Sequence, residues 1–264
     1  MLLTLDIGNT STTIGLFDGN KLVETWSIAS EKNRSEDEIG ILLLNLLKIH
    51  NYESNVDSAC LCSVVVSLTE RYKNAIKRYL GIDPFVVSNK TIHLLNYKID
   101  NPEELGADRI VNAFAAYQKY GQTTIVVDMG TATSFDIVKS NGDFIGGVIC
   151  AGMKIQAESL KKFTSKLPLI KIEAPNNAIG TNTIDAMLSG IVRGHACMID
   201  GLIRECEKEL NENALIIATG GYSEIISRYM DRKFDYIMPN LTLEGLKHIY
   251  YTHIENSGIP NTIV

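Results

Sequence analysis

The sequence has little of what marks disulfide-rich, metal-binding or nucleic-acid-binding proteins. Its five cysteines are odd in number and scattered (60, 62, 150, 197 and 206), and its five histidines show no ligand spacing. We therefore expect no disulfide framework. Cys60 and Cys62 lie two positions apart on a predicted strand, where a metal pair is the alternative to the reduced, buried thiols that we expect. The net charge of −6, without a Lys/Arg-rich block, disfavours a nucleic-acid partner.

Long apolar stretches are also missing. The first charge, at Asp6, comes too early for the apolar core of a secretory signal. Runs such as ALIIA at 214–218 are too short to span a bilayer. With 45% hydrophobic and 21% charged residues, the composition is that of an ordinary folded protein. We expect no membrane partner and a cytoplasmic location.

The first part of the chain predicts three strands, followed by alternating helices and strands. Apolar runs predict strands at 1–7, 12–17 and 22–28, then at 58–66 and 85–88. Two capping boxes, Ser35 with Glu38 and Ser67 with Glu70, predict helix starts. That order is typical of one mixed sheet with helices packed against it.

The same order recurs in the second part of the chain. Strands are predicted at 123–130, 132–138 and 144–152, before a long helical region and a strand at 214–221. We interpret the recurrence as an internal duplication. The predicted domains are an N-terminal lobe at 1–118, a C-terminal lobe at 119–253 and a loosely ordered polar tail at 254–264.

Each copy ends its first strand in an Asp, a Gly and several hydroxyls: LDIGNTSTT at 5–13 and VDMGTATS at 127–134. A glycine there lets the backbone approach a ligand, and nearby N–H and hydroxyl groups can face phosphate oxygens. Because Asp6 and Asp128 would repel phosphate, we expect Mg²⁺ or another cation between carboxylate and phosphate. The pattern indicates one nucleotide triphosphate faced by both copies. The alternative is a pair of ordinary turns that end two buried strands.

Two further stretches fit a phosphotransfer site. Thr219, Gly220 and Gly221 end a predicted strand just before a helix and could support the adenosine part of a nucleotide, although glycine after a strand is also an everyday turn. At a predicted helix start, Asp108 could accept a hydroxyl proton and Arg109 could hold an anionic group. The alternative for this pair is a helix-start acid beside a surface arginine.

Four motifs in order and spacing resemble the type III pantothenate kinases of the actin/hexokinase-like phosphotransferase superfamily: DIGNT (6–10), GADR (106–109), DMGTAT (128–133) and GGVI (146–149). The resemblance implies an α/β fold of duplicated ribonuclease-H-like (actin-like ATPase) lobes, each a mixed sheet flanked by helices. It implies a homodimeric transferase that uses ATP to phosphorylate pantothenate to 4′-phosphopantothenate, the first step of coenzyme A biosynthesis.

Position by position, the resemblance also implies site residues. The ATP phosphate-binding loop falls on Asp6, Ile7, Gly8, Asn9, Thr10, Ser11, Thr12 and Thr13, with a further ATP contact at Thr131. The general base falls on Asp108, and the metal site for K⁺ or NH₄⁺ falls on Asp128. Pantothenate contacts fall on Ile99, Gly106, Ala107, Asp108, Arg109 and, from the neighbouring subunit, Thr183.

The chain departs from the family pattern at three places. Ile99 stands where an aromatic is usual, SVVV (63–66) replaces SVVP, and Cys150–Gly152 replaces Thr-Pro-Gly. Each concerns substrate affinity or loop shape and removes no group from the proposed reaction.

Three other functions are the alternatives: another kinase or a polyphosphate-type phosphatase, a nucleotide-binding regulator without catalysis, and an actin-like filament subunit. The GADR motif disfavours the other enzymes, and the intact Asp6, Asp108 and Asp128 disfavour a regulator. The short chain leaves little room for the inserted subdomains of a filament subunit.

Overall fold

The computed structural model of the chain describes residues 1–88 and 95–257, with the side chains of 256 and 257 left aside. Within this range the chain forms two compact units. The first comprises 1–88, 95, 100–115 and 241–257, and the second comprises 96–99 and 116–240. Residues 89–94 of the predicted connection and 258–264 of the predicted tail lie outside the described residues.

The described elements, in chain order, are eleven strands and eight α-helices. The strands are β1 (Leu2–Ile7), β2 (Ser11–Asp18), β3 (Lys21–Ala29), β4 (Ser58–Ser63), β5 (Phe85–Val87), β6 (Asn96–Tyr97), β7 (Thr124–Met129), β8 (Ala132–Val138), β9 (Asp143–Ala151), β10 (Leu215–Thr219) and β11 (Tyr236–Ile237). The helices are α1 (Glu36–Ile49), α2 (Val66–Leu80), α3 (Ala107–Tyr120), α4 (Met153–Phe163), α5 (Thr183–Leu188), α6 (Gly194–Leu210), α7 (Ser223–Ser227) and α8 (Leu241–Ser257). A 3-10 turn covers Pro102–Glu104, and a π-helical turn at Ser189–Arg193 joins α5 to α6.

The first unit is built on a mixed sheet in the order β3-β2-β1-β4-β5. β1 pairs antiparallel with β2 and parallel with β4, so Asp6 lies opposite Thr13 on one side and Cys62 on the other. One face of this sheet forms a core with α1 and α2, in which Leu5, Leu43 and Tyr72 are buried. The unit therefore buries the apolar run of β1 and brings Asp6 to the end of a central strand.

The second unit repeats this topology. Its sheet runs β11-β10-β7-β8-β9-β6, in which β9-β8-β7-β10-β11 matches the order of the first sheet and β6 is an addition at the edge. Asp128 lies opposite Ser134 and Thr219, as Asp6 lies opposite Thr13 and Cys62. The duplicated α/β fold expected from the sequence is confirmed.

A shared irregularity shows how closely the two copies match. The register of the second strand shifts between Leu16 and Phe17 in the first sheet, and between Ile137 and Val138 in the second. Both shifts lie at the same distance from the aligned hydroxyl pair Thr12 and Thr133. A β-bulge is a local feature that is kept within families, so its recurrence at one place supports duplication.

The start of α2 differs from the prediction. The helix begins at Val66, its N-cap is Val65, and no side chain caps it, so the predicted Ser67–Glu70 capping box is wrong. The cause lies in the preceding strand, which ends at Ser63 instead of residue 66. The Ser63 hydroxyl accepts a hydrogen bond from the Val65 N–H at 3.1 Å, and the helical hydrogen bonds start at the Val65 carbonyl. The Ser35–Glu38 box of α1 is confirmed on both sides.

The C-terminal helix α8 belongs to the first unit, although it follows the second in sequence. Its residues Leu241, Leu243, Leu246 and Ile249 are buried, and they pack against the sheet of the first unit. The helix continues to Ser257, so residues 254–257 are helical and the expected loose tail does not start at 254. The predicted domain limits at 118 and 253 otherwise stay a prediction.

One helical stretch, Thr183–Leu210, is long and apolar enough to pass a length and composition test for a membrane span. Half of its most apolar window is buried inside the protein. Ile191, Ile199 and Ile203 contribute to the core of the second unit. We interpret the stretch as a core helix.

Candidate active site

The turn between β1 and β2 presents exposed polar groups at a fixed position. The Gly8 N–H donates to the Ser11 carbonyl at 3.1 Å, and the Ser30 N–H donates to the Thr10 carbonyl at 3.0 Å. Asn9, Thr10 and Ser11 are exposed between these anchors. Short hydroxyl and amide side chains on a tied turn are suited to phosphate oxygens.

Thr12, at the base of the same turn, points the other way. Its side chain is fully buried. The hydroxyl hydrogen-bonds with that of Ser30 at 2.8 Å and accepts from Tyr72 at 3.5 Å. Thr12 therefore anchors the turn to α2, and its predicted contact with ATP stays a prediction.

Asp6, near the C-terminal end of β1, is held by a hydrogen bond from its neighbour on β4. The Cys62 thiol donates to Asp6 Oδ1 at 3.5 Å. Cys62 is completely buried, as is Cys60, and both are free thiols, as expected from the sequence. Burial, followed by the negative charges of Asp6 and Asp108, raises the pKa of Cys62 well above its usual value. The thiol therefore stays protonated and available as a donor.

Asp108 lies in the first turn of α3, in the part of the helix that belongs to the first unit. Burial raises the pKa of its carboxyl, against the opposing effect of the hydrogen bond from the Arg109 N–H and the charge of Arg109. That hydrogen bond reaches Asp108 Oδ1 at 2.8 Å. A carboxylate with a raised pKa is a stronger base than an ordinary one, which suits proton transfer from an alcohol.

Asp6 and Asp108, although far apart in sequence, both lie within electrostatic reach of the buried thiol of Cys62. Gly106, before Asp108, also lies close to Val64, which follows β4. The first unit thus combines a strand-end acid, a tied polar turn and a desolvated helix-start acid.

The matching turn of the second unit is tied in the same way. The Gly130 N–H donates to the Ala132 carbonyl at 3.0 Å. Gly152 lies against it so closely that a Cβ would fall 2.7 Å from the Gly130 carbonyl and collide with that of Thr131. Gly220, with φ +87°, packs on Met129, where a Cβ would lie 2.6 Å from the backbone. These two glycines are therefore required for packing around the turn.

A buried polar chain under this turn was missed by the sequence reasoning. His195 on α6 bonds to the Thr133 hydroxyl through Nε2 at 2.8 Å and to the Gln156 amide nitrogen through Nδ1 at 3.0 Å. His195 is 2% exposed, and burial lowers its pKa to about 4. No local pattern pointed to it, because its partners lie on β8 and α4, far away in sequence.

The donor set fits a hard cation. The strand ends offer the carboxylates of Asp6 and Asp128 in the first and second units, with hydroxyls beside them, and oxygen ligands are those preferred by Mg²⁺ and K⁺. No three His, Cys, Asp or Glu side chains come together as a metal cluster among the described residues. A cation at either carboxylate would complete its shell with backbone, water or phosphate oxygens.

The remaining predicted residues are divided between the units. Gly106, Ala107 and Arg109 lie with Asp108 in the first unit. Ile99 and Thr183 lie with Thr131 in the second. Ile99 is half-buried, and one of its methyl groups lies 4.0 Å from the position that a Cβ on Gly146 would take. Thr183 is exposed and is the first residue of α5.

Comparison with known proteins gives one consistent result. A family model described as type III pantothenate kinase matches residues 2–205. The chain is 42% identical over 250 residues to a type III pantothenate kinase from Dehalococcoides mccartyi (strain CBDB1), which covers 94% of this chain and 95% of the relative.

Two solved structures share the fold. A protein described as a Baf family transcriptional activator from Campylobacter jejuni has a TM-score of 0.57 at 19% identity, over 97% of this chain and 100% of that one. The activator of 2-hydroxyisocaproyl-CoA dehydratase from Clostridium difficile, with bound ADPNP, has a TM-score of 0.55 at 11% identity, over 100% and 99%. At such identities these structures show the fold alone.

Proposed function

The chain belongs to the type III pantothenate kinase family, and on that premise we propose which of its residues carry out the reaction. The activity is the ATP-dependent phosphorylation of pantothenate to 4′-phosphopantothenate, the first step of coenzyme A biosynthesis. The observation that carries the assignment of residues is the half-buried Asp108, whose pKa is raised by desolvation and whose charge acts on Cys62, the hydrogen-bond partner of Asp6.

Asp108 acts as the general base. Its desolvated carboxylate accepts the proton of the primary hydroxyl of pantothenate as the oxygen attacks the γ-phosphorus of ATP. The Arg109 N–H holds Oδ1 at 2.8 Å and leaves Oδ2 free of that bond. The Arg109 guanidinium binds the pantothenate carboxylate, and Gly106 and Ala107 let the substrate approach the start of α3.

The Asp6–Thr13 segment binds the phosphates of ATP. Asn9, Thr10 and Ser11 are its exposed donors. Because the backbone hydrogen bonds of the turn already hold them in place, little conformational entropy is lost when ATP binds. Asp6 is the carboxylate that would hold Mg²⁺ bound with ATP, and the ion would neutralise charge on the phosphate oxygens.

Asp128 and Thr131 form the corresponding group of the second unit. Asp128 binds a monovalent cation, K⁺ or NH₄⁺, and Thr131 contacts ATP. This proposal is supported by the exposed turn at 130–132. A hydrogen bond from the Gly130 N–H to the Ala132 carbonyl closes the turn, and Gly152 packs against it. A carboxylate with hydroxyl oxygens beside it offers the hard oxygen ligands that suit such a cation.

The protein acts as a homodimer in the cytoplasm, with Ile99 and the partner's Thr183 completing the pantothenate site. Large apolar side chains on the second unit support an interface: Phe163 is 78% and Ile179 83% exposed, with Ile149 and Ile184 also exposed. A contiguous patch of such side chains is typical of an association surface, and these four are its candidates here. Sedimentation of the wild type and of an Ile179→Asp variant tests the dimer, which the charge should weaken.

The decisive experiment measures phosphopantothenate and ADP formed by the purified protein from ATP and pantothenate, with and without K⁺ or NH₄⁺. Asp108→Asn keeps the shape of the side chain and removes the base, so we expect turnover to fall at least ~100-fold. Asp83→Asn is the matched control, because Asp83 is exposed and pairs with Lys77 on the surface.

Near-normal turnover by Asp108→Asn would remove Asp108 from its role. If wild-type protein released ADP with other acceptors and not with pantothenate, the substrate would be wrong. If the rate were unchanged without K⁺ and NH₄⁺, only the proposed cation site at Asp128 would be wrong. The roles of Asp108 and of the phosphate-binding loop would stand.

A further inference from the structure

A chain of hydrogen bonds runs beneath the turn of the second unit. The Gln156 side-chain nitrogen donates to the Ala151 carbonyl at 2.9 Å and approaches His195 Nδ1 at 3.0 Å. His195 Nε2 lies 2.8 Å from the Thr133 hydroxyl. The chain links the end of β9, the first turns of α4 and α6, and the start of β8.

The geometry fixes the tautomer of His195. The Ala151 carbonyl can only accept, so the Gln156 atom facing it is the amide nitrogen, which donates its second hydrogen to Nδ1. Nδ1 is therefore an acceptor, and the imidazole proton lies on Nε2. Nε2–H donates to Thr133 Oγ1, which leaves the hydroxyl hydrogen of Thr133 for another acceptor.

Thr133 lies at the base of the turn that carries Asp128 and Thr131. It pairs with Met129 across the hairpin and with Cys150 on β9. Its counterpart in the first unit, Thr12, is held instead by the hydroxyls of Ser30 and Tyr72. Both copies thus anchor a buried threonine at the same place. The first uses hydroxyl groups, whose hydrogens can rotate, and the second uses an imidazole N–H, whose hydrogen has a fixed direction.

We propose that His195 is a positioning residue: as the Nε2–H tautomer set by Gln156, it orients Thr133 and thereby holds the Asp128–Thr131 turn in its ATP- and cation-binding geometry. The inference rests on the function proposed above for that turn. Removing the imidazole would leave the buried Thr133 hydroxyl and one amide hydrogen of Gln156 without their partner. The turn would keep its packing against Gly152 and lose the hydrogen bond that holds Thr133 at its base.

The test compares three variants of the full-length protein. His195→Leu and Thr133→Val remove the donor and the acceptor, whereas His195→Gln places an amide N–H where Nε2–H was. We expect the first two to raise KM for ATP and the K⁺ concentration for half-activation about tenfold each, with a smaller change in kcat. His195→Gln should recover most of both, and the double variant His195→Leu/Thr133→Val should be no worse than either single change.

A structural control lies on the same helix. Asp200 is buried and accepts hydrogen bonds from the Asp231 and Arg232 N–H groups at 2.8 and 3.1 Å, away from the turn. Asp200→Asn should lower the melting temperature without changing KM for ATP or the K⁺ requirement. ¹⁵N-histidine NMR of the wild type should show the Nε2–H form.

Two outcomes overturn the proposal. One is that His195→Leu and Thr133→Val behave like Asp200→Asn, which makes the chain merely structural. The other is an NMR spectrum with the proton on Nδ1. Asp128→Asn separates these from a failure of the proposed function: if it leaves the K⁺ and ATP dependence unchanged, the assignment of the turn is wrong, whatever His195 does.

Discussion

Gly106 is the residue at which a single methyl group would test the site most directly. A Cβ there would lie 2.6 Å from Asp108 Oδ1 and 3.4 Å from a Val64 methyl. The carboxylate is the free end of a side chain and can rotate away, so the fold should tolerate Gly106→Ala. The base would then be moved off the line of the acceptor hydroxyl, and misplacement on this scale lowers rates strongly.

We therefore expect Gly106→Ala to reduce kcat by about 10- to 100-fold with little change in melting temperature. Steady-state kinetics and thermal unfolding measure the two effects. Gly201→Ala on α6 is the matched control, since a Cβ there meets nothing within 4 Å; it should keep kcat and raise stability slightly. A Gly106→Ala enzyme of normal kcat would show that Asp108 works in another position.

Cys62 shows how much of the site a single sequence can reveal at the residue scale. Asp6, Asp108 and Asp128 stand out because each is an acid at the end of an apolar run or at a helix start. In the sequence, Cys62 looks like any other apolar residue of a buried strand. Its hydrogen bond to Asp6 forms because β4 pairs with β1 in the fold. Thr219 occupies the corresponding place beside Asp128, so duplication has kept the position and changed the group.

At the scale of elements, the two predicted helix caps form a natural pair for experiment. In α1, the Ser35 hydroxyl accepts from the Glu38 N–H at 3.2 Å, and the Glu38 carboxylate accepts from the Ser35 N–H at 2.7 Å. In α2, Ser67 lies within the first turn, and no side chain caps the helix. The same sequence pattern therefore has a structural role at one site and none at the other.

Ser35→Ala should lower the free energy of unfolding by about 1 kcal/mol, the usual value of an N-cap. Ser67→Ala should change it by less than about 0.5 kcal/mol, as for other exposed substitutions. Chemical denaturation with equal m-values measures both. Equal losses from the two variants would mean that Ser67 caps α2 in solution.

The strands were easier to predict than the start of α2, for a physical reason. β1 and β2 are specified by local apolar runs, and the hairpin of β2 and β3 by a turn at Gly19 with φ +55°. The start of α2 depends on where β4 stops pairing with β1, which is a tertiary event: Ser63 still pairs with Ile7. The short strand β6 was missed because two residues, Asn96 and Tyr97, carry no period, and only pairing with β9 makes them a strand.

At the scale of the whole molecule, duplication explains why the site residues come in corresponding sets. Each unit supplies a strand-end acid and a tied turn, and the chain adds Asp108 only once. α8 shows the limit of reading such a chain from end to end, because its apolar face belongs to the first unit. Neither its hydropathy nor its position in sequence says which sheet it covers.

The buried histidine gives the whole molecule a pH-dependent stability. The pKa of His195 is lowered by burial from 6.5 to about 4, so between these values the unfolded chain binds a proton that the folded chain excludes. By linkage, the free energy of unfolding must fall as pH drops from about 6.5 towards about 4, with a slope approaching 1.4 kcal/mol per pH unit. Above pH 6.5 the group is neutral in both states and contributes no slope.

His195→Gln should remove this part of the slope while keeping kinase activity, because the amide cannot gain a proton and still donates to Thr133. Thr133→Val should lower stability at every pH and retain the slope, since His195 stays buried. Urea unfolding of the three proteins at several pH values between 4 and 7 makes the comparison. Parallel curves for wild type and His195→Gln would mean that the imidazole is protonated inside the fold, and Gln156 could not then donate to it.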